Sequence, residues 1–145
     1  MHGPDHSGLR RLTLKMLAQR TAAASGADAL ATAARSAYDD LARISAPLIG
    51  VSGMQALAGR AIHLAQREHP CLASLGTDPP IEPLAQVVAC LQREDPAVAG
   101  KAADAVFVAL VRLLVTFIGE PLTTGLLRQA WPDVFVYVTA EESRA

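Results

Sequence analysis

The stretch LATAARSAYDDLARISAPLIG, residues 30–50, carries the plainest periodicity in the chain. At about 100° per residue, Leu30, Ala34, Ala37, Tyr38, Leu41, Ile44 and Leu48 fall on one face of a helix. Arg35, Ser36, Asp39 and Arg43 fall on the opposite face. This is the pattern of a helix with one buried side, and Asp28 suits the positive end of its dipole. Pro47 removes a backbone donor from the last turn, and Ile49-Gly50 predicts the stop, with the glycine free to take the left-handed conformation that ends many helices.

Sliding the chain by 69 positions lays this helix and its successor over a second pair. Ala33-Ala34 meets Ala102-Ala103, Tyr38 meets Phe107, Leu41 meets Leu110, Arg43 meets Arg112 and Ile44 meets Leu113. Ile49-Gly50 then meets Ile118-Gly119, Leu57 meets Leu126 and Ala61 meets Ala130. The physical content is a long helix, an Ile-Gly corner and a shorter helix, which predicts two helical hairpins about a pseudo-twofold.

Other helices follow from their start signals. Ser7 is placed to cap a first helix running to about Ala24, in which Arg10, Arg11, Lys15 and Arg20 make the one locally basic segment. Ser52 is placed to cap the helix after Gly50, which would turn Met54, Leu57, Ala58, Ala61 and Ala65 inward. Three acid-proline pairs, Glu82-Pro83, Asp95-Pro96 and Glu120-Pro121, mark helices over about 83–94, 96–118 and 121–131. Proline at a first helical position loses no hydrogen bond, and the acid beside it suits the dipole. Residues 134–138, VFVYV, read as a strand. The expectation is an all-α, single-domain compact bundle of five to six helices over residues 9–138, with a loose leader (1–8) and a polar tail (139–145).

Composition agrees. Of 145 residues, 51% are hydrophobic, supplied mainly by Ala and Leu, and only 4% are aromatic, which favours helix over sheet. Charged residues make up 19% and the net charge is −1, which excludes a disordered polyelectrolyte and a strongly basic nucleic-acid binder. The apolar run 105–118, AVFVALVRLLVTFI, is shorter than the about 20 residues of a membrane span and is interrupted by Arg112. It reads as a buried central helix, or as one shared with a second subunit. Two cysteines, Cys71 and Cys90, allow no disulfide framework and point to a reducing compartment. Together with the Ala and Arg bias and the lack of a secretory signal, this gives the expectation of a bacterial cytoplasmic protein.

No catalytic constellation emerges. Gly50-Val51-Ser52-Gly53-Met54 misplaces the second glycine of a nucleophile elbow and follows a helix, where the elbow needs a strand. His63, His69 and Cys71 form H-x5-H-P-C, which lacks the ligand spacing of a zinc site, so no metal is expected. Asp39 and Asp40 point about 100° apart and do not make a shared-proton dyad. Cys90 lies off the apolar stripe of its helix and reads as partly exposed, with nothing nearby to activate it.

What remains is a non-enzymatic interaction or regulatory module that self-associates, as a homodimer or with another protein. Trp131, Phe135 and Tyr137 are the aromatic cluster for an interface. Arg112, a charge in an otherwise apolar helix, is the candidate for an anion or partner contact, with Asp39, Asp40 or Glu120 as internal partners. The basic first helix suits an acidic partner better than nucleic acid. The competing expectation is a small-ligand or haem-binding sensor, with His63 or His69 as the polar group of an apolar pocket.

Overall fold

A computed structural model describes residues 6–24, 28–73 and 83–135. It consists of α1 (His6–Ala23), α2 (Ala29–Ile49), α3 (Val51–Ala65), a short 3₁₀ turn (Pro70–Leu72), α4 (Pro83–Arg93), α5 (Pro96–Ile118) and α6 (Glu120–Ala130). No strand occurs among the described residues, and the chain forms an all-α bundle. No described helix is long and apolar enough to cross a membrane.

The two hairpins predicted from the 69-residue offset are present, and they swap partners. α3 packs on α5, α6 packs on α2, and α1 and α4 each bridge both long helices. Burial repeats at the same offset. Ala33, Ala34, Ala37, Tyr38 and Leu41 are buried, and so are Ala102, Ala103, Val106, Phe107 and Leu110. Met54, Leu57, Ala58, Ala61, Ile62 and Ala65 are matched by buried Thr123, Leu126, Leu127, Ala130, Trp131 and Val134.

The corners match in backbone geometry as well. Gly50 has φ 91° and ψ 155°, and Gly119 has φ 89° and ψ 159°. This is the extended positive-φ region open to glycine alone, rather than the left-handed helical conformation expected from the sequence. Each glycine N–H closes the preceding helix onto a carbonyl four residues back, Ala46 or Val115. Each glycine carbonyl then accepts the first bond of the next helix, from Met54 or Thr123. Gly50 is therefore the cap of α3, and Ser52 is an exposed residue inside the first turn that makes no capping bond.

Proline opens α4 and α5 and stands second in α6, as the acid-proline pairs predict. Asp95 caps α5 by accepting from the Ala97 N–H at 3.0 Å. At the other end of the chain, residues 132–135 are helical and not a strand. Pro132 starts a new turn after Trp131, and Val134 and Phe135 turn into the core. Of the leader expected over 1–8, residues 6–8 belong to α1, so Ser7 lies inside that helix and is not its cap; residues 1–5, 136–138 and the tail 139–145 lie outside the described residues.

Cys71 and Cys90 form a disulfide, with Cα atoms 5.7 Å apart. This corrects the reading of two free thiols. Cys90 is fully buried, because the stripe of α4 that meets the 3₁₀ turn runs through Leu84, Val87, Cys90 and Leu91. The bond also removes the cysteine argument for a reducing compartment, since disulfides persist in oxidising ones.

Candidate functional site

α5 is the most apolar of the helices, and its buried side is used up by α3, α6, α1 and α4. One stripe of it is left between α1 and α3, where the three helices bound a groove of about 880 Å³. Ala105, Val108, Ala109 and Leu113 form the floor, with Leu14 of α1 and Leu64 of α3 as apolar walls. All six are half-buried. Around them stand Arg10, Lys101 and Arg112, two carboxylates (Glu68 and Asp104), and His69.

The charges on this rim are poorly neutralised. Burial pushes the Asp104 carboxyl above the usual carboxylate range, and the Arg10 guanidinium pulls it partway back. Lys101 and Arg112 are exposed and make no ion pair among the described residues. The carboxylates considered as partners for Arg112 are engaged elsewhere or do not meet it. Asp40 pairs with Arg20 at 2.9 Å and with Arg43 at 3.6 Å, and Asp39 pairs with Arg35 at 3.3 Å. One Glu120 oxygen is buried without a hydrogen-bond partner.

The 69-residue offset supplies an internal comparison. On α2 the positions that match Ala105 and Ala109 are Ser36 and Asp40. There the end of α1 is gripped: Arg20 donates to the Ser36 hydroxyl at 2.8 Å, pairs with Asp40 and donates to the Ala130 carbonyl at 3.2 Å. On α5 the same two positions are alanines and hold nothing, and Val108 and Ala109 replace Asp39 and Asp40. Arg43, the match of Arg112, has Asp40 as a partner, whereas Arg112 has only alanine at that place. Where one half of the molecule closes its surface with ion pairs, the other leaves an apolar stripe flanked by unpaired cations.

His69 and Arg112, predicted separately, are brought together in this groove. His63 is not, since it is exposed on the outer side of α3. The donor set His63, His69 and Cys71 is not assembled, because Cys71 is bonded to Cys90. Trp131 is taken up by the core. It is 1% exposed, its indole N–H donates to the Ala37 carbonyl at 3.2 Å, and its ring meets Phe107 edge-on with centroids 6.3 Å apart. Phe135 is 6% exposed and lies under the Arg128 guanidinium at 5.2 Å. Tyr137 lies outside the described residues.

Arg10 was marked by the sequence only as part of the basic first helix, and Lys101, Asp104 and the alanine-valine floor were not singled out. A position-by-position comparison of the two repeats would have found the α5 positions, because Asp39-Asp40 becomes Val108-Ala109, Thr32 becomes Lys101 and Arg35 becomes Asp104. Comparison with known protein families, with curated proteins and with solved structures finds no match.

Proposed function

We propose that this chain is a non-enzymatic interaction module whose binding surface is the groove between α1 and α3 on α5. The observation that carries this reading is the contrast between the two halves. The same surface is closed by ion pairs on α2 and left open, apolar-floored and charge-rimmed on α5. Apolar area left bare between helices costs solvation, and recognition surfaces are where it recurs. The residues that line the groove run along α5 from Lys101 to Thr116, about 22 Å at the rise of an α-helix. That length suits a segment of a partner protein better than a compact cofactor.

The test is a photoreactive residue placed at Val108, with one at Asp39 as the matched control on the other half. Cross-links to a partner protein at 108 and none at 39 are expected. Equal yields at both, or none at either, would remove the groove from consideration. A second copy of the chain is one possible partner, and a light-scattering mass that rises with concentration would identify it. The small-ligand alternative draws on His69 in the wall; a non-protein mass retained in native mass spectrometry would favour it instead.

A further inference from the structure

Resting on that reading, we infer that the occupant of the groove is an acidic amphipathic helix of the partner, with an apolar face about three turns long and a carboxylate near each end of it. Lys101, Ala105, Val108 and Arg112 follow one another at four, three and four residues and so lie along one face of α5. The two cations stand at the ends of that stripe and the apolar residues between them. Their separation of eleven residues is about 16 Å. A helix laid along α5 has the same rise, so carboxylates about eleven residues apart on the partner meet both cations while the side chains between them rest on Ala105, Val108 and Leu113. The alanines of the floor let a second backbone approach, and Leu14 and Leu64 give its apolar side chains walls to pack against.

Among the rim groups, Asp104 already feels Arg10, and Glu68 stands in the turn after α3 beside His69. Lys101, one turn from Asp104 on α5, and Arg112 make no ion pair among the described residues. A basic helix would set like charges against both, which costs affinity as well as losing the attraction. An apolar floor alone would accept either helix, so the cations at its ends supply the discrimination.

Two synthetic peptides of 16 residues test this on the full chain. They share one apolar face at i, i+3, i+4 and i+7 spacing and carry either glutamates or lysines at the two flanking positions. Fluorescence anisotropy at low salt is expected to give affinity about tenfold higher for the acidic peptide, with the advantage shrinking at high salt as the charges are screened. Lys101→Glu with Arg112→Glu is expected to reverse the preference, and Lys101→Gln with Arg112→Gln to abolish it. Both pairs are exposed positions, so circular dichroism and melting should match the parent chain. Equal binding of the two peptides, or an acidic preference that survives all four substitutions, would overturn the inference. If neither peptide binds while Val108 still cross-links to a protein, the groove is an interface for a partner of other chemistry and only this inference falls. If neither peptide binds and Val108 gives no cross-link, the reading beneath it falls too.

Discussion

Gly50 and Gly119 sit in a backbone region where any Cβ meets the flanking peptide groups, so both positions resist substitution for the same local reason. Beyond its immediate chain neighbours, an added Cβ would find no atom within 4 Å at Gly50 and only the Pro121 Cδ at 3.8 Å at Gly119. Packing is thus not the issue. Gly50→Ala and Gly119→Ala should each cost about 1–3 kcal/mol, and by similar amounts, in urea denaturation. A large inequality would mean that the two corners are not equivalent. Asp104 is a second residue with a definite expectation. Its folded-state pKa is raised by burial, so the folded chain holds that proton more tightly than the unfolded one. Stability is therefore lost as pH rises from the ordinary value of 3.8 through the raised one, and the loss persists above it. Asp104→Asn should be the more stable protein at neutral pH, with the gap closing in acid. A gap that widens in acid would show that Arg10 dominates instead. The glycines were legible in the sequence as helix stops. The Asp104 environment was not, because it depends on α1 lying across α5.

At the scale of elements, helix starts and stops were written locally and could be read. Acid-proline pairs and Ile-Gly corners act within one turn of the chain. The 3₁₀ turn against α4 is different in kind. Cys71 and Cys90 are 19 residues apart and meet only because the loop after α3 folds back on α4, where both Gln66 and Gln86 donate to the Leu72 carbonyl and Arg93 donates to that of Cys71. No periodicity announces such a pairing, and the isolated stripe of α4 misplaced Cys90 toward solvent. Native protein should titrate no free thiol, and reduction should release two while lowering unfolding stability by about 3 kcal/mol, the entropy of a loop of this size. Two free thiols before reduction would refute the bond. The packing of α6 on α2 gives a further expectation. Thr123 and Ser45 bury hydroxyls with no hydrogen-bond partner, at the places where the other half has Met54 and Leu114. Thr123→Val removes an unpaired hydroxyl at nearly constant volume and should stabilise by about 1 kcal/mol. A loss of stability would reveal a partner for the threonine oxygen.

For the whole molecule, the repeat at a 69-residue offset is what gives the groove its meaning. The hairpins were visible as an offset in sequence, but the groove was not, since it takes α1, α3 and α5 together to bound it. Two fixed hairpins with matching cores should tolerate an exchange of surface residues between them, and one exchange separates the roles of the halves. Ala109→Asp gives α5 the acid that α2 has at Asp40, three residues before the arginine in each case. It supplies Arg112 with an i,i+3 partner and puts a carboxylate in the groove floor. Helix propensity is lost by roughly 0.7 kcal/mol and a few tenths return from the pair, so the fold should change little. Binding of the acidic peptide should fall about tenfold or more, because the cation is neutralised and the floor now repels the same ligand. The reverse change, Asp40→Ala, releases Arg20 of α1 and Arg43 of α2 and should cost no more than about 1 kcal/mol, as expected for a partly exposed pair. It should leave peptide affinity where it was, since α1 stays packed on both α2 and α5 with Met16 and Leu17 buried. If Ala109→Asp left binding intact, or Asp40→Ala weakened it as much, the difference between the halves would have no bearing on recognition. Opposite sensitivities, stability at position 40 and binding at position 109, would assign one half of the repeat to holding the bundle and the other to meeting its partner.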